Sequence, residues 1–402
     1  MLAGGNARPP VPRPARSDAA IGIVVNATAF LDLIGFGLVV PLLPLVVRAT
    51  GGEAELAGAA LGVYSLAQLV ATPWLGHLSD RVGRRPVVLL SLAGNALSMA
   101  MFALAVEQGW LWLLFASRVL GGATAANLAT LQVVIADTTA EVDRPARLGR
   151  MGAAIGLGMV AGPILGGVLL HFATWAPAAG AGLAALAALG LAFFALPETR
   201  PADPSRPSLP VQRVAAPDPP PGLRARVAAL PFLGFFGVAA LQATFPLHAE
   251  ARLGLGPAGI GVAFGAFGAV LVLVQGGLVG PLARRFPPER LIAGGPLLMA
   301  LGFAGLSLGS GVAATAVGLA VAAGIALLNP LATAIASSIA PPASRGKMLG
   351  QQQSAGTLGR VLGPVAGGAL YARAGGPTVF LVAALVAAAG FLVASSLRPP
   401  RA

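Results

Sequence analysis

Apolar residues fill this chain in long blocks, and polar residues gather in short stretches between them. A helix needs about 20 apolar residues to cross a bilayer's hydrocarbon core. Twelve blocks reach or approach that length, at 20–47, 56–78, 87–106, 109–136, 148–171, 175–196, 227–249, 257–282, 291–308, 311–339, 348–372 and 376–397. Between the sixth and the seventh, Pro197 to Gly222 holds nine prolines and mixed charges, a composition that neither continues a helix nor supplies a core. The pattern predicts an all-α polytopic membrane protein of twelve transmembrane helices in two six-helix bundles. The expected units are a tail at 1–19, a bundle at 20–196, a linker at 197–226, a second bundle at 227–397 and a short tail at 398–402.

The two halves repeat. Gly76 and Leu78, followed by Ser79, recur as Gly280 and Leu282, followed by Ala283, with Arg284 standing where the first half has Asp80. In span 5, Leu148, Gly149, Gly158, Gly162, Pro163, Gly166 and Gly167 return in span 11 as Leu349, Gly350, Gly359, Gly363, Pro364, Gly367 and Gly368, all displaced by 201 residues. Parallel repeats of six spans with a cavity between them are a known transporter plan, so the bundles are expected to be pseudo-symmetric.

Composition agrees with a membrane location. Hydrophobic residues make up 56% and charged residues 10%, against about 45–50% and about 25% in a soluble domain. The chain has no cysteine, which excludes disulfides, thiolate metal sites and cysteine nucleophiles. Its three histidines are far apart and have no ligand spacing, so neither metal nor cofactor is expected. The net charge of +12 would suggest nucleic acid in a soluble chain. Here the basic residues lie between apolar spans, where lipid headgroups and topology account for them. Of the 26 lysines and arginines, 21 fall in the tails and the even-numbered connections, and only Arg48, Arg252 and Arg373 fall in the others. The positive-inside rule then puts both termini in the cytoplasm, with the cell inner membrane as the expected location.

Few residues offer chemistry inside the spans. Asp32 lies about 18 Å along span 1 and Arg118 about 14 Å in from the outer end of span 4, both near the bilayer midplane. A carboxylate at that depth either takes up a proton or pairs with a cation. Asp32 and Arg118 are therefore candidates for proton coupling, with a permanent ion pair as the alternative for Asp32 and a static packing brace as the alternative for Arg118. Between spans 2 and 3, Gly76 to Pro86 concentrates Asp80, Arg81, Arg84 and Arg85 with Gly76 and Gly83, a candidate conformational gate. In it, Gly76 is expected to allow close helix approach and Gly83 a tight reversal, and Asp80 to stabilise the outward-facing state by docking near the start of span 11, close to Gln351 and Gln352. Gly158, Gly162, Pro163, Gly166 and Gly167 form a small-residue seam on which another helix can lie flush. Gln68, Asn127, Gln132, Gln242, Gln275 and Asn329 are uncharged polar residues within spans and candidate substrate contacts. Arg360, about 19 Å along span 11, finds no acid in spans 8 to 12, so it is expected to border a central cavity.

These stretches resemble a known family. Asp32 to Pro44, ATPWLGHLSDRVGRRPVVLL at Ala71 to Leu90, Arg118 in LLFASRVLGG, VIADTT at Val134 to Thr139 and GLGMVAGPILGG at Gly156 to Gly167 are similar to the twelve-span drug:proton antiporters of the major facilitator superfamily. The first half resembles the bacterial tetracycline exporters in particular. The resemblance implies the major facilitator fold and coupling through Asp32 and Arg118. It also implies a gate at Asp80 and Arg84 and a span 5 motif associated with export. The second half departs from the tetracycline pattern, with Gln275 in span 8 where a histidine is implied and no charge in span 9 where an acid is implied. The expected function is export of an amphipathic, drug-like small molecule in exchange for protons by alternating access, by a monomer surrounded by lipid. A proton-coupled metabolite or sugar transporter on the same fold, or a transporter-like sensor that moves nothing, stays open. An enzyme is not expected.

Overall fold

Among the described residues the apolar blocks fold into twelve helices. The computed structural model describes residues 15–140, 142–199, 219–309, 311–341 and 344–397, and the regular structure in them is helical. The first half contains α1 (Ala20–Ala49), α2 (Ala54–Val82), α3 (Arg84–Gln108), α4 (Leu111–Thr138), α5 (Ala146–Phe172) and α6 (Ala176–Ala195). The second contains α7 (Pro221–Leu253), α8 (Pro257–Arg285), α9 (Pro288–Leu308) and α10 (Ala313–Ile339). The last apolar stretch, Arg345–Ser395, runs on for 51 residues but is broken at Gly375, whose φ of 74° no helix accommodates. It therefore makes two crossings, α11 (345–374) and α12 (376–395). Glycine tolerates this left-handed conformation without steric cost, and Pro377 is suited to the first turn of the helix that follows.

Four helices are locally irregular, among them α9, in which a turn at Ile292–Ala293 separates Pro288–Leu291 from Gly294–Leu308. A 3₁₀ turn at Val40–Leu42, followed by Pro44, interrupts α1. In α4 a turn at Thr124–Ala126 separates Leu111–Ala123 from Asn127–Thr138, and α8 contains a π turn at Val274–Leu278. Irregular backbone at membrane depth is tolerated where protein or a cavity supplies the missing partners. Gln68 does this for α4, donating from Nε2 to the Ala125 carbonyl at 3.4 Å.

Boundaries move in two places. α7 begins at Pro221, so the end of the expected linker is helical, while its residues 200–218 lie outside the described residues, as do 1–14 and 398–402 of the tails. The charged stretch after span 2 is not an extended turn. Gly76 to Val82 continue α2, Arg84 opens α3, and Gly83 alone, at φ 110°, makes the reversal. A helix is tolerated there because Asp80 and Arg81, both exposed on its last turn, extend into the polar zone.

Packing follows the repeat. On α5, a Cβ added at Gly158, Gly162 or Gly166 would lie within 3 Å of the α1 backbone or Leu33, at Phe30, Ile34, Gly37 and Leu38. On α11, a Cβ at Gly359 or Gly363 would meet α7 in the same way, at Phe232 and Phe236, and one at Gly367 would lie 3.1 Å from Ala240. Each ladder thus seats its helix on the first helix of its own half. The next glycine of each ladder faces the other half. Gly167 abuts the Pro257 carbonyl of α8, and Gly368 abuts the Ala54 carbonyl of α2. These contacts, with Gly58 against Pro364 and Gly261 against Pro163, close the molecule on the face of Arg48. Toward the face of Gly83 and Arg84, the halves part around a cavity.

Candidate functional site

The cavity has a volume of about 560 Å³ and is lined by α1, α2, α4 and α11. α1 contributes Asp32 and Phe36, and α2 contributes Tyr64 and Gln68. Asn127 and Gln132 come from α4 below its break, and Gln353, Thr357 and Arg360 come from α11. Its charged lining residues are one acid from the first half, Asp32, and one base from the second, Arg360.

Asp32 is held by amides rather than by a cation. Asn95 donates from Nδ2 to its Oδ1 at 3.3 Å, and Asn127 is a second hydrogen-bond partner. Arg118, the expected partner, is 2% exposed and turns elsewhere. Its guanidinium lies 4.4 Å from the Phe102 ring centroid and 6.0 Å from that of Tyr64, with Nη2 3.9 Å from Met99 Sδ. The direct Asp32–Arg118 ion pair is therefore a correction to the sequence reading: both residues border a recess of about 40 Å³ beside the main cavity, but aromatic faces take the place of the acid. Tyr64 stands between them, near enough to Asp32, Arg118 and Arg360 to interact electrostatically with each.

Arg360 reaches the cavity with its guanidinium 4.2 Å from the Phe235 ring centroid. Its Nε is buried and has no hydrogen-bond partner. Of the uncharged candidates, Gln68, Asn127 and Gln132 line the cavity. Gln242, Gln275 and Asn329 do not: Gln275 is exposed on the π turn of α8, and the other two are half-buried outside the lining. Helix rotation separates the two groups, and a sequence of nearly uniform hydrophobicity does not reveal it.

The gate residues form a charge cluster at the open face. Arg84 binds Asp80 through Nη1 and Asp137 through Nε, the latter at 3.1 Å, with its own side chain 13% exposed. Glu198, beyond the end of α6, accepts the backbone N–H groups of Arg84 and Arg85 at 2.9 and 3.3 Å, capping α3. A Cβ on Gly83 would strike this carboxylate. Arg85 donates to the Phe193 carbonyl at 2.6 Å, and Arg81 is exposed on the last turn of α2. Asp80 is 67% exposed and docks on Arg84, not at Gln351 or Gln352. Gly76 has open space where a helix neighbour was expected. Both differences have one cause: on this face α2 and α11 are separated by the cavity. On the opposite face Arg48 pairs with Glu250 at 2.8 Å, joining α1 to α7.

The sequence reading passed over Tyr64, Asn95, Asp137 and Glu198. Asn95 carries the signal that singles out Gln68 and Asn127, an amide within an apolar span, and Tyr64 is one of two tyrosines in the chain.

The profile of the Major Facilitator Superfamily matches residues 25–322 and 227–402. The chain belongs to the Major Facilitator Superfamily. It is 33% identical over 359 residues to the class D tetracycline resistance protein of Salmonella ordonez, covering 86% of this chain and 88% of that one. Over 370 residues it is 34% identical to the class G tetracycline resistance protein of Vibrio anguillarum, covering 90% and 92%. The crystal structure of the human organic anion transporter MFSD10 (TETRAN) superposes with a TM-score of 0.68 at 24% identity, covering 95% and 100%. As a superfamily member the chain is a multi-pass membrane transporter of small molecules, not an enzyme.

Proposed function

We propose that this transporter exports a drug-like, amphipathic small molecule from the cytoplasm in exchange for protons, by alternating access. The observation that carries the reading is the cavity between the halves, lined by helices of both, with Asp32 in its wall. Asp32 has hydrogen-bond donors but no cation in ion-pair range among the described residues, so its proton occupancy is free to change with access to either side. The similarity to tetracycline resistance proteins supports a drug-like cargo. The open face carries Arg81, Arg84, Arg85, Arg284, Arg285, Arg345 and Lys347, which supports a cytoplasmic position for it and for both termini in an inner membrane. Coupling is assigned to Asp32 and Arg118, gating to the Gly76–Arg85 cluster and the α5 seam, and cargo contacts to Gln68, Asn127, Gln132 and Arg360. Arg360 also favours a second reading, transport of an organic anion, the cargo class named for human MFSD10.

Asp32→Asn keeps size and hydrogen bonding but cannot release a proton. In proteoliposomes with an imposed pH gradient, the variant is expected to lose uphill drug movement and its proton counterflow while keeping its yield and monodispersity. Undiminished uphill transport by the variant would remove Asp32 from coupling.

A further inference from the structure

We infer that the central cavity takes a zwitterionic, ring-bearing molecule, with its cationic group against Asp32 and its anionic group against Arg360. The inference deepens the proton-exchange reading and rests on it. One carboxylate and one guanidinium stand on walls that belong to different halves, and neither forms an ion pair within 4.0 Å among the described residues. Arg360 is supported from one face by Phe235, and its buried Nε is left without an acceptor. A guanidinium held this way is preorganised to bind a planar anionic group edge-on. The same lining combines apolar surface at Phe36, Leu69 and Leu128 with the amides of Gln68 and Gln132, which suits a flat ring with polar edges. A volume of about 560 Å³ falls among small-molecule sites, which span roughly 300–1,000 Å³.

Exchange with protons decides between the charge classes. The titratable and charged groups that share the cavity and its recess with Asp32 are Tyr64 from α2, Arg118 from α4 and Arg360 from α11. Protonation of Asp32 makes this surround more positive, so a purely anionic ligand would bind better to the protonated form and would travel with the proton rather than against it. A purely cationic ligand is displaced by the proton, but it leaves Arg360 unanswered and is repelled by it. A ligand with both charges answers Arg360 and still yields its place at Asp32 to the proton.

The probes are norfloxacin, which carries an ammonium and a carboxylate on one fluorescent ring system, its methyl ester, N-acetylnorfloxacin, and the doubly blocked N-acetyl methyl ester. Binding to the purified full chain in detergent, read by fluorescence anisotropy without any pH gradient, is expected to be about tenfold or more tighter for norfloxacin than for either singly blocked compound. Asp32→Asn is expected to abolish the preference over N-acetylnorfloxacin only, and Arg360→Gln the preference over the methyl ester only. Asp32→Glu and Arg360→Lys, which keep the charges, should each retain part of the preference and show that the neutral variants lost charge rather than fold. Singly blocked compounds binding as well as norfloxacin, variants that leave the ranking unchanged, or no binding by any of the four would overturn the inference. Absence of proton counterflow in proteoliposomes beside an intact ranking would fault the exchange reading alone.

Discussion

Arg118 is the largest side chain enclosed by the fold, and its neighbours are rings, a thioether and a hydroxyl instead of an acid. A buried cation without a carboxylate is expensive, and cation–π contact returns about 2 kcal/mol or more of that cost when desolvated. If Arg118 were a packing brace, a methionine of similar reach would serve nearly as well, since replacing buried charge with apolar bulk is often neutral or stabilising. As a coupling residue it is not replaceable in this way. Arg118→Met is therefore expected to leave the thermal midpoint of the purified protein unchanged or raised while abolishing proton-driven transport. A lowered midpoint with residual coupling in the surviving fraction would mark Arg118 as structural. At this scale the sequence was legible in kind but not in pairing. Asp32, Arg118 and Arg360 stand out because charges in apolar spans are rare, yet the choice of Asn95 over Arg118 as partner to Asp32 depends on helix rotation that no periodicity records.

Helices were the most legible feature, because length and hydropathy suffice to find a span. The 201-residue register predicted that α5 and α11 would be equivalent, and the contacts of Gly158, Gly162 and Gly166 correspond to those of Gly359, Gly363 and Gly367. The repeat did not reveal that the last glycine of each ladder serves a different interface. A Cβ at Gly162 or Gly363 would meet backbone within its own half, 2.8 Å from Gly37 Cα or 2.3 Å from the Phe236 carbonyl. A Cβ at Gly167 or Gly368 would instead meet the other half, 2.6 Å from the Pro257 carbonyl or 2.4 Å from the Ala54 carbonyl. Overpacking typically costs about 1–3 kcal/mol, and where that cost falls should differ. Gly162→Val and Gly363→Val are expected to lower folded yield, because they force apart helices that stay together throughout transport. Gly167→Val and Gly368→Val should fold, and should favour conformations in which the Arg48 face is open, read as greater spin-label separation across that face by pulsed electron resonance. Equal loss of yield at all four positions would mean that the inter-half seam is as permanent as the rest. The π turn in α8 and the break in α4 were not legible, since Val274–Leu278 and Thr124–Ala126 contain no proline and read as ordinary span.

At the scale of the whole molecule, the two faces are held by different chemistry. The closed face combines close backbone packing with one exposed ion pair, Arg48 to Glu250, and such a pair contributes about 0–1 kcal/mol. Shape complementarity between glycine ladders, not charge, holds that face shut. The open face has charges in reserve. Arg84 binds two acids at once, Asp80 and Asp137. Asp80 is largely exposed while Asp137 is not, so Asp80 is the partner that can leave without stranding the guanidinium. Closing this face would bring the end of α2 toward the start of α11, near Lys347 and the exposed Gln351. A carboxylate at a helix N-terminus gains about 0.3–1 kcal/mol, and up to ~2 when partly buried. Asp80→Asn removes that gain from the closed arrangement, whereas the Arg84–Asp137 contact remains in the open one. The variant is expected to populate the open form of this face more than the wild type does. Because the chain contains no cysteine, pairs of cysteines introduced on the ends of α2 and α11 report the change without background, as a lower cross-linking yield in the variant. A yield equal to that of the wild type would leave Asp80 as a surface partner of Arg84 and transfer the closing force to apolar contact around Gly76, where Gly76→Val would then produce the drop that Asp80→Asn did not.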